Sequence, residues 1–416
     1  MAKKIRRIKD FNIITADYVI VSVLLFNAFT WFYITITIIN GLLDNLSLTD
    51  PISITVLGLH SSTVIASSFV GVLLSRRTRK FSFLYLWIIL GILVSLLPIL
   101  PLEHSIFHLL TVSFSFGFSF GFGMPLCLAY FSDSTTLENR GVRGGMIFLI
   151  ANLCTPLLLA LSSDLLVLSY VSLVWRGVAL GTFLLIKPTA IDYEAKADVS
   201  FLSILSNKPF LLYIIPWLMF CLVDSLENIY FEAFSPPEFF ELNRAIEPLA
   251  GIVFAFIAGF LADRIGRKRV IIYGFVSLGV AYAVIGLTPT FQISWYFYSI
   301  IDGIAWGIFY VMFILVLWGD LSPKGTKGEY YAIGSLPFFF ADLVGAMSRP
   351  YVQGIPKESA QAAFSIASFF LFVAVLPLMY APETLPERRI ELRRLRKYVE
   401  KAMKFRERYQ GTSDKA

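Results

Sequence analysis

Gly259-Phe260-Leu261-Ala262-Asp263-Arg264-Ile265-Gly266-Arg267-Lys268-Arg269 separates two long apolar stretches. Five of these residues are charged and four of the five are basic, so the segment cannot lie in hydrocarbon. It reads as a tight turn at a membrane surface, and its Arg and Lys place that surface on the cytoplasmic side. Gly259 lets the preceding helix come close to a neighbour. Gly266 suits a turn that needs positive φ. Asp263 is placed either to sit near a helix N-terminus or to accept bonds from Arg267.

The rest of the chain agrees with a membrane setting. Of 416 residues, 57% are hydrophobic and only 15% are charged, whereas soluble domains carry about 25% charged residues. A soluble core this apolar would leave nothing polar to cover it. Segments long enough to cross a bilayer, about 20 residues each, fall at 17–40, 52–74, 82–101, 105–131, 143–163, 165–186, 210–234, 246–262, 270–288, 292–318, 329–349 and 359–381. With twelve spans, 31 of the 35 Lys and Arg lie on one side, three (Arg244, Arg349, Lys357) on the other, and Arg176 inside a span. That asymmetry sets both termini in the cytoplasm of a multi-pass protein of the cell membrane. The net charge of +6 is therefore no sign of a nucleic-acid partner. The basic N-terminus, Met1 to Asp10, reads as a retained cytoplasmic start. Cys127, Cys154 and Cys221 sit in apolar runs with no metal or disulfide spacing, and His60, His104 and His108 form no ligand cluster.

An internal repeat organises the spans. Gly71-Val-Leu-Leu-Ser75-Arg-Arg-Thr78-Arg79-Lys80 matches Gly259 to Lys268 at an offset of 188 residues. Asp133 precedes Arg140-Gly141 by seven residues, and Asp320 precedes Lys327-Gly328 by seven, an offset of 187. Gly117 and Gly121 match Gly303 and Gly307 at an offset of 186. Three landmarks at nearly one spacing imply two homologous halves in parallel orientation, related by an axis along the membrane normal. The expected fold is an all-α membrane protein with twelve transmembrane helices in two pseudo-symmetric six-helix bundles. Residues 1–186 form the first half, 187–209 a cytoplasmic linker, 210–381 the second half and 382–416 a basic tail helix. Within the linker, Phe201, Leu202, Ile204 and Leu205 suit a short helix on the membrane surface. Ser113, Gly117 and Gly121, and again Gly303 and Gly307, form small-residue stripes for close helix packing. The alternating phenylalanines Phe114 to Phe122 mimic a strand, but a membrane setting demands helix. Trp295 and Trp318 bracket span ten as expected of interfacial anchors. In the tail, Leu392, Leu395, Val399 and Met403 recur at helical spacing among Arg and Lys, which suits a helix lying on anionic lipid.

Ionisable groups inside spans are the informative ones, because each costs about 2.5–3.5 kcal/mol at mid-bilayer on insertion scales. The second half holds Asp224, Glu227 and Asn228 in span seven, Glu247 near the start of span eight, Asp302 in span ten and Asp342 in span eleven. The first half has Asn27, His60, Asn152 and Arg176. Asp224, Glu227 and Asn228 share one helix face. Asp224 and Glu227, with Asp302 or Asp342, are expected to take up a proton or bind a cationic group. Glu247 is expected near the wet outer end, His60 as a satisfied core histidine, and Arg176 as a structural partner.

The Gly259–Lys268 stretch resembles the signature loop of the major facilitator superfamily, G-x-L-A-D-R-x-G-R-K/R. That resemblance implies alternating access, in which two rigid halves rock around a mid-membrane site. It also implies that the first and fourth helices of each half line the cavity, which would turn Asn27, Asp224, Glu227 and Asp302 toward it. The gating loop would comprise Gly259, Asp263, Arg264, Gly266 and Arg267, with the carboxylate of Asp263 meeting the start of span five near Arg140, Gly141 and Gly144. The first loop departs from the pattern, with Ser75 in place of Asp and Thr78 in place of Gly, so its contact with the start of span eleven should be weaker. Pro382-Glu383-Thr384 resembles the motif that ends the last span in sugar-porter members. Span five lacks the Gly-Pro motif of proton-antiporting drug exporters, which favours proton symport of a small organic solute. The aromatic side chains of span ten (Trp295, Tyr296, Tyr298, Trp306, Tyr310) suit packing first and stacking on an organic ring second. An exporter of cationic or amphipathic compounds and a transporter-shaped solute sensor are the alternatives. No enzymatic constellation, cofactor or metal site is expected, and a monomer is.

Overall fold

The structure is a computed structural model and describes residues 2–46, 50–78, 80–100, 105–186, 188, 199–234, 237–352 and 357–385. The described residues are almost entirely helical apart from the connecting turns, with no strand among them. The first half comprises α1 (Ala2–Leu46), α2 (Asp50–Ser75), α3 (Lys80–Val94), α4 (Ile106–Asp133), α5 (Arg140–Leu159) and α6 (Leu165–Ile186). The short α7 (Phe201–Leu205) follows, with the Ser200 hydroxyl accepting from the Leu202 N–H at its start. The second half holds α8 (Lys208–Phe234), α9 (Pro237–Ile265), α10 (Arg267–Leu287), and α11 (Gln292–Phe309) continued through a π-turn at Tyr310–Val316 into α12 (Leu317–Leu321). It ends with α13 (Lys327–Gly334), α14 (Leu336–Val352) and α15 (Lys357–Tyr380). Twelve segments among these are long and apolar enough to cross a bilayer, and they coincide with the expected spans to within a few residues, apart from longer ends in spans one and ten. Helices are the physical solution because each satisfies its own backbone hydrogen bonds where water is absent.

The small-residue stripes act as the sequence implied. α4 packs on α2, with Gly117 against the His60 carbonyl and Gly121 against the Val64 carbonyl. α11 packs on α9 in the same manner, with Gly303 against the Glu247 carbonyl and Gly307 against the Gly251 carbonyl. A Cβ at any of these would strike backbone, which cannot swing aside as a flexible side chain can. The phenylalanines of α4 sort by helical period. Phe116 and Phe120 are buried on one face, while Phe114, Phe118 and Phe122 stack in turn along another that runs from exposed Phe114 to buried Phe122, with centroids 6.1 and 5.4 Å apart.

Two expectations need correction. Trp295 and Trp318 are not interfacial anchors: both are buried. Trp318 packs against Phe210 and fills the space above Gly334, and Trp295 donates its indole N–H to the Pro289 carbonyl. The chain turns at both points, and the indoles fold inward to cover the turns. α7 is likewise not simply laid on lipid, because Ile204 is buried and Phe201 meets Phe69 edge to face at 4.9 Å, while Leu202 stays exposed. The expected basic tail helix, like most of the linker, falls outside the described residues.

The halves meet along α5 with α9, α2 with α14, and α4 with α13. The end of the molecule that carries the Arg- and Lys-rich turns, called here the basic end, holds the polar part of that junction.

Candidate gate and coupling site

At the basic end the expected loop contact is present atom by atom. Asp263 Oδ1 accepts from the Gly141 N–H at 3.0 Å, and its Oδ2 from the Val142 N–H at 2.8 Å. The start of α5 carries unpaired N–H groups and a positive dipole end, which a carboxylate answers. Gly141 and Gly259 allow this approach, since a Cβ on either would meet the backbone carbonyl of the other. Gly145 opposes Ala255 one turn further on. Gly266 has φ 107° and ψ 153°, a conformation essentially reserved for glycine. The space beside it is taken by the Glu383 carboxylate, which accepts from the N–H groups of Arg267 at 2.8 Å and Lys268 at 3.2 Å. Arg267 is fully buried and fans out to Asp263 (2.8 Å), Asp320 (3.1 Å) and the carbonyls of Ala262 and Leu137. Arg264, by contrast, lies over the Phe260 ring at 3.6 Å.

The repeated pair of acid and base is exchanged between halves. Asp320 of the second repeat pairs with Arg140 of the first, and Asp133 of the first pairs with Lys327 of the second at 2.5 Å. Lys80 shares Asp133. The first-half loop, expected to make only a weak contact with the start of span eleven, reaches it by different chemistry. Ser75 bonds back to Val72 of its own helix, while Arg76 crosses to Glu329 at 3.0 Å and to the Val199 carbonyl at 2.8 Å. A hollow of about 390 Å³ opens beside these groups, lined among others by Arg76, Lys80, Tyr130, Asp133, Lys327 and Glu329.

Midway along the helices the junction is aromatic. Tyr33 of α1 and Tyr310 at the π-turn bring their hydroxyls to 3.5 Å across the halves. Phe148 meets Tyr310 at 4.2 Å, and Phe32 and Phe120 meet Phe339 at 6.0 and 6.1 Å. A π-turn inside a span is often found at a functional position, and sequence reading gave no signal for it. Asp342 of α14 is exposed although protein surrounds it almost completely, and its charge acts on both Tyr33 and Tyr310.

The other expected residues divide. Asp224 stands at the edge of this aromatic region, where its Oδ1 accepts from the Trp306 indole at 2.8 Å and its Oδ2 from Asn228 at 3.1 Å. Glu227 and Asp302 do not turn toward the junction as the cavity analogy implied. Both are buried within the second bundle, each with one carboxylate oxygen that has no hydrogen-bond partner. Asn27 also turns away from the junction: it donates to the Trp175 carbonyl at 2.5 Å and accepts from Arg176 at 3.3 Å. Arg176 is fully buried between the rings of Trp31 and Trp87, 4.9 and 4.6 Å from their centroids, a cation–π sandwich inside the first bundle. Gly91 leaves room for its guanidinium. Asn27 and Arg176 therefore join each other rather than the acids. His60 is buried with Nδ1 at 3.2 Å from the Ser113 carbonyl.

Twelve spans in two parallel-repeat bundles, latched through charges at one end and meeting through aromatics at mid-membrane, define a two-bundle, twelve-span membrane protein. Comparison with known proteins agrees. Residues 239–407 match the sequence model of the Major Facilitator Superfamily. No curated protein matches the chain by sequence. Among solved structures, the chain is similar to the human organic anion transporter MFSD10 (TETRAN), with 14% identity and a TM-score of 0.65, covering 88% of this chain and 99% of that one. It is similar to the proton:xylose symporter XylE bound to 6-bromo-6-deoxy-D-glucose, with 15% identity and a TM-score of 0.64 over 90% of this chain and 97% of that one. A bacterial homologue of the iron transporter ferroportin in an outward-facing state aligns at 14% identity and a TM-score of 0.69, covering 86% and 98%. At these identities the likeness shows that the chain shares their fold, and the family model matches within its second half.

Proposed function

We propose that the chain moves a small organic solute across the cell membrane by alternating access, in symport with protons. The observation that carries this reading is the charge imbalance of the second half. Asp224, Glu227, Asp302 and Asp342 lie within spans, and residues 209–243, 245–263, 270–323 and 328–348 contain no Lys or Arg. Ionised acids at that depth cost about 2.5–3.5 kcal/mol each on insertion scales. Among the described residues no Lys or Arg pairs with any of them, so a mobile cation is the partner we assign, and the proton is the cation a carboxylate binds covalently. Asp342 and the Tyr33–Tyr310 pair offer the solute a polar edge and aromatic faces. The basic turns set the latched end in the cytoplasm, so the conformation described is shut toward the cytoplasm.

The first experiment is a thermal-shift screen of the purified protein against sugars, organic acids and amines at two pH values. The strongest binder is then followed in reconstituted vesicles under an imposed pH gradient. Changing Asp224 and Glu227 to Asn and Gln should abolish proton-driven accumulation; accumulation equal to the unaltered protein dismisses the reading. The exposed position of Asp342 also favours a second reading, export of a cationic compound. In that case binders would be amines alone, and Asp342→Asn would remove binding itself rather than its coupling to pH.

A further inference from the structure

Trp306 touches two regions that are otherwise apart. Its ring lies 6.3 Å from Phe338 and 6.3 Å from Tyr310, on the aromatic junction between the halves. Its indole N–H points the other way, onto Asp224 at 2.8 Å. Behind Asp224 stand Glu227 and Asp302, each buried and each with one carboxylate oxygen lacking a hydrogen-bond partner, and the Tyr282 hydroxyl lacks one as well. Three unmatched buried oxygens in one bundle mark a place built to receive something, because such atoms are costly to leave bare. Asn228 bonds Asp224 and is itself exposed.

We infer that Trp306 is a positioning residue that carries the protonation state of Asp224 to the aromatic junction between the halves. This rests on the proton-coupled reading of the function. With Asp224 ionised, the indole N–H is held by a charge-assisted bond. When a proton from water bonds to the Asp224 carboxylate, the negative charge is lost and the indole bond falls to neutral strength, roughly half. The ring is then free to turn against Tyr310 and Phe338. Asn228 of α8 and Trp306 of α11 bond Asp224, and the titratable groups near enough to act on its charge are Cys221 and Glu227 on α8, Glu247 on α9, Tyr282 on α10, Asp302 on α11 and Asp342 on α14. None of these is basic.

Fluorine NMR of the full chain carrying 5-fluorotryptophan tests this with the proton as the only probe. The protein has seven Trp, and the resonance missing from Trp306→Phe identifies the one of interest. It should move between pH 8 and pH 5 in the unaltered protein. In Asp224→Asn it should stay fixed across that range, while Asp224→Glu should restore the movement. Glu227→Gln, which keeps the indole bond, should retain the movement with a displaced midpoint, and this arm serves if Asp224→Asn does not fold. A resonance that ignores pH in the unaltered protein overturns the inference, as does one that titrates alike in Asp224→Asn. If uptake proves proton-driven while the resonance stays still, this inference alone fails. If the resonance titrates and uptake ignores pH, the symport reading fails instead.

Discussion

Asp320 and Asp133 hold equivalent places in the two repeats, and each crosses to a base of the other half, yet their surroundings differ. Asp320 is fully buried and serves two buried guanidinium groups, Arg140 and Arg267. Asp133 is 29% exposed and serves two lysines that are also partly exposed. The adjoining loops differ in the same sense. Asp263 reaches the backbone at the start of α5, while Ser75 bonds Val72 of its own helix and Arg76 crosses to Glu329. One sequence pattern, copied, has produced a dry latch on one side of the junction and a wet one on the other. Burial decides the difference in strength, since a buried charge stripped of its partner has no water to turn to.

The largest effect expected from breaking this comparison is therefore at Asp320. Asp320→Asn leaves Arg140 and Arg267 without their shared carboxylate, and should weaken the closed basic end by about 3–5 kcal/mol. Spin labels at Thr136→Cys and Lys324→Cys, one on each half, should report longer distances across that end. Next in size, Gly259→Val drives a branched side chain into the Gly141 carbonyl, at a cost of about 1–3 kcal/mol of overpacking. The same label pair should show a partial shift. The smallest effect is at Asp133, where Asp133→Asn breaks an exposed pair and should change the distribution by no more than about 1 kcal/mol. Equal responses at Asp320 and Asp133 would erase the distinction between a dry and a wet latch. Ser75→Asp sharpens it from the other direction: supplying the missing carboxylate should favour closure by about 0.3–1 kcal/mol, the worth of an anion near a helix N-terminus.

Much of this latch was legible in the sequence. The Gly259–Arg269 turn and the positive φ at Gly266 followed from residue type and order, and the meeting of Asp263 with the start of α5 from the resemblance of the loop to the facilitator signature. The departure at Ser75 was legible too, but the replacement of its contact by Arg76 and Glu329 was not, because the two residues are brought together only when the halves close. The candidate coupling group was read less well. Asp224, Glu227 and Asp302 were found as acids, but only Asp224 borders the junction. Trp306 was noted as one aromatic among several, and nothing in its spacing points to Asp224, 82 residues earlier.

What the sequence determined by itself is what the bilayer enforces locally: twelve apolar lengths, charges gathered at one end, helices as the only element, and a duplicated plan. Each follows from composition or spacing over a few dozen residues. What the tertiary structure decided is the direction each buried polar group takes. A soluble helix announces its inner face by polarity, but a span that is apolar all round carries no such mark. Whether Glu227 faces a hollow or its own bundle, and whether Arg176 meets an acid or two indoles, depends on the rotation of whole helices against their neighbours.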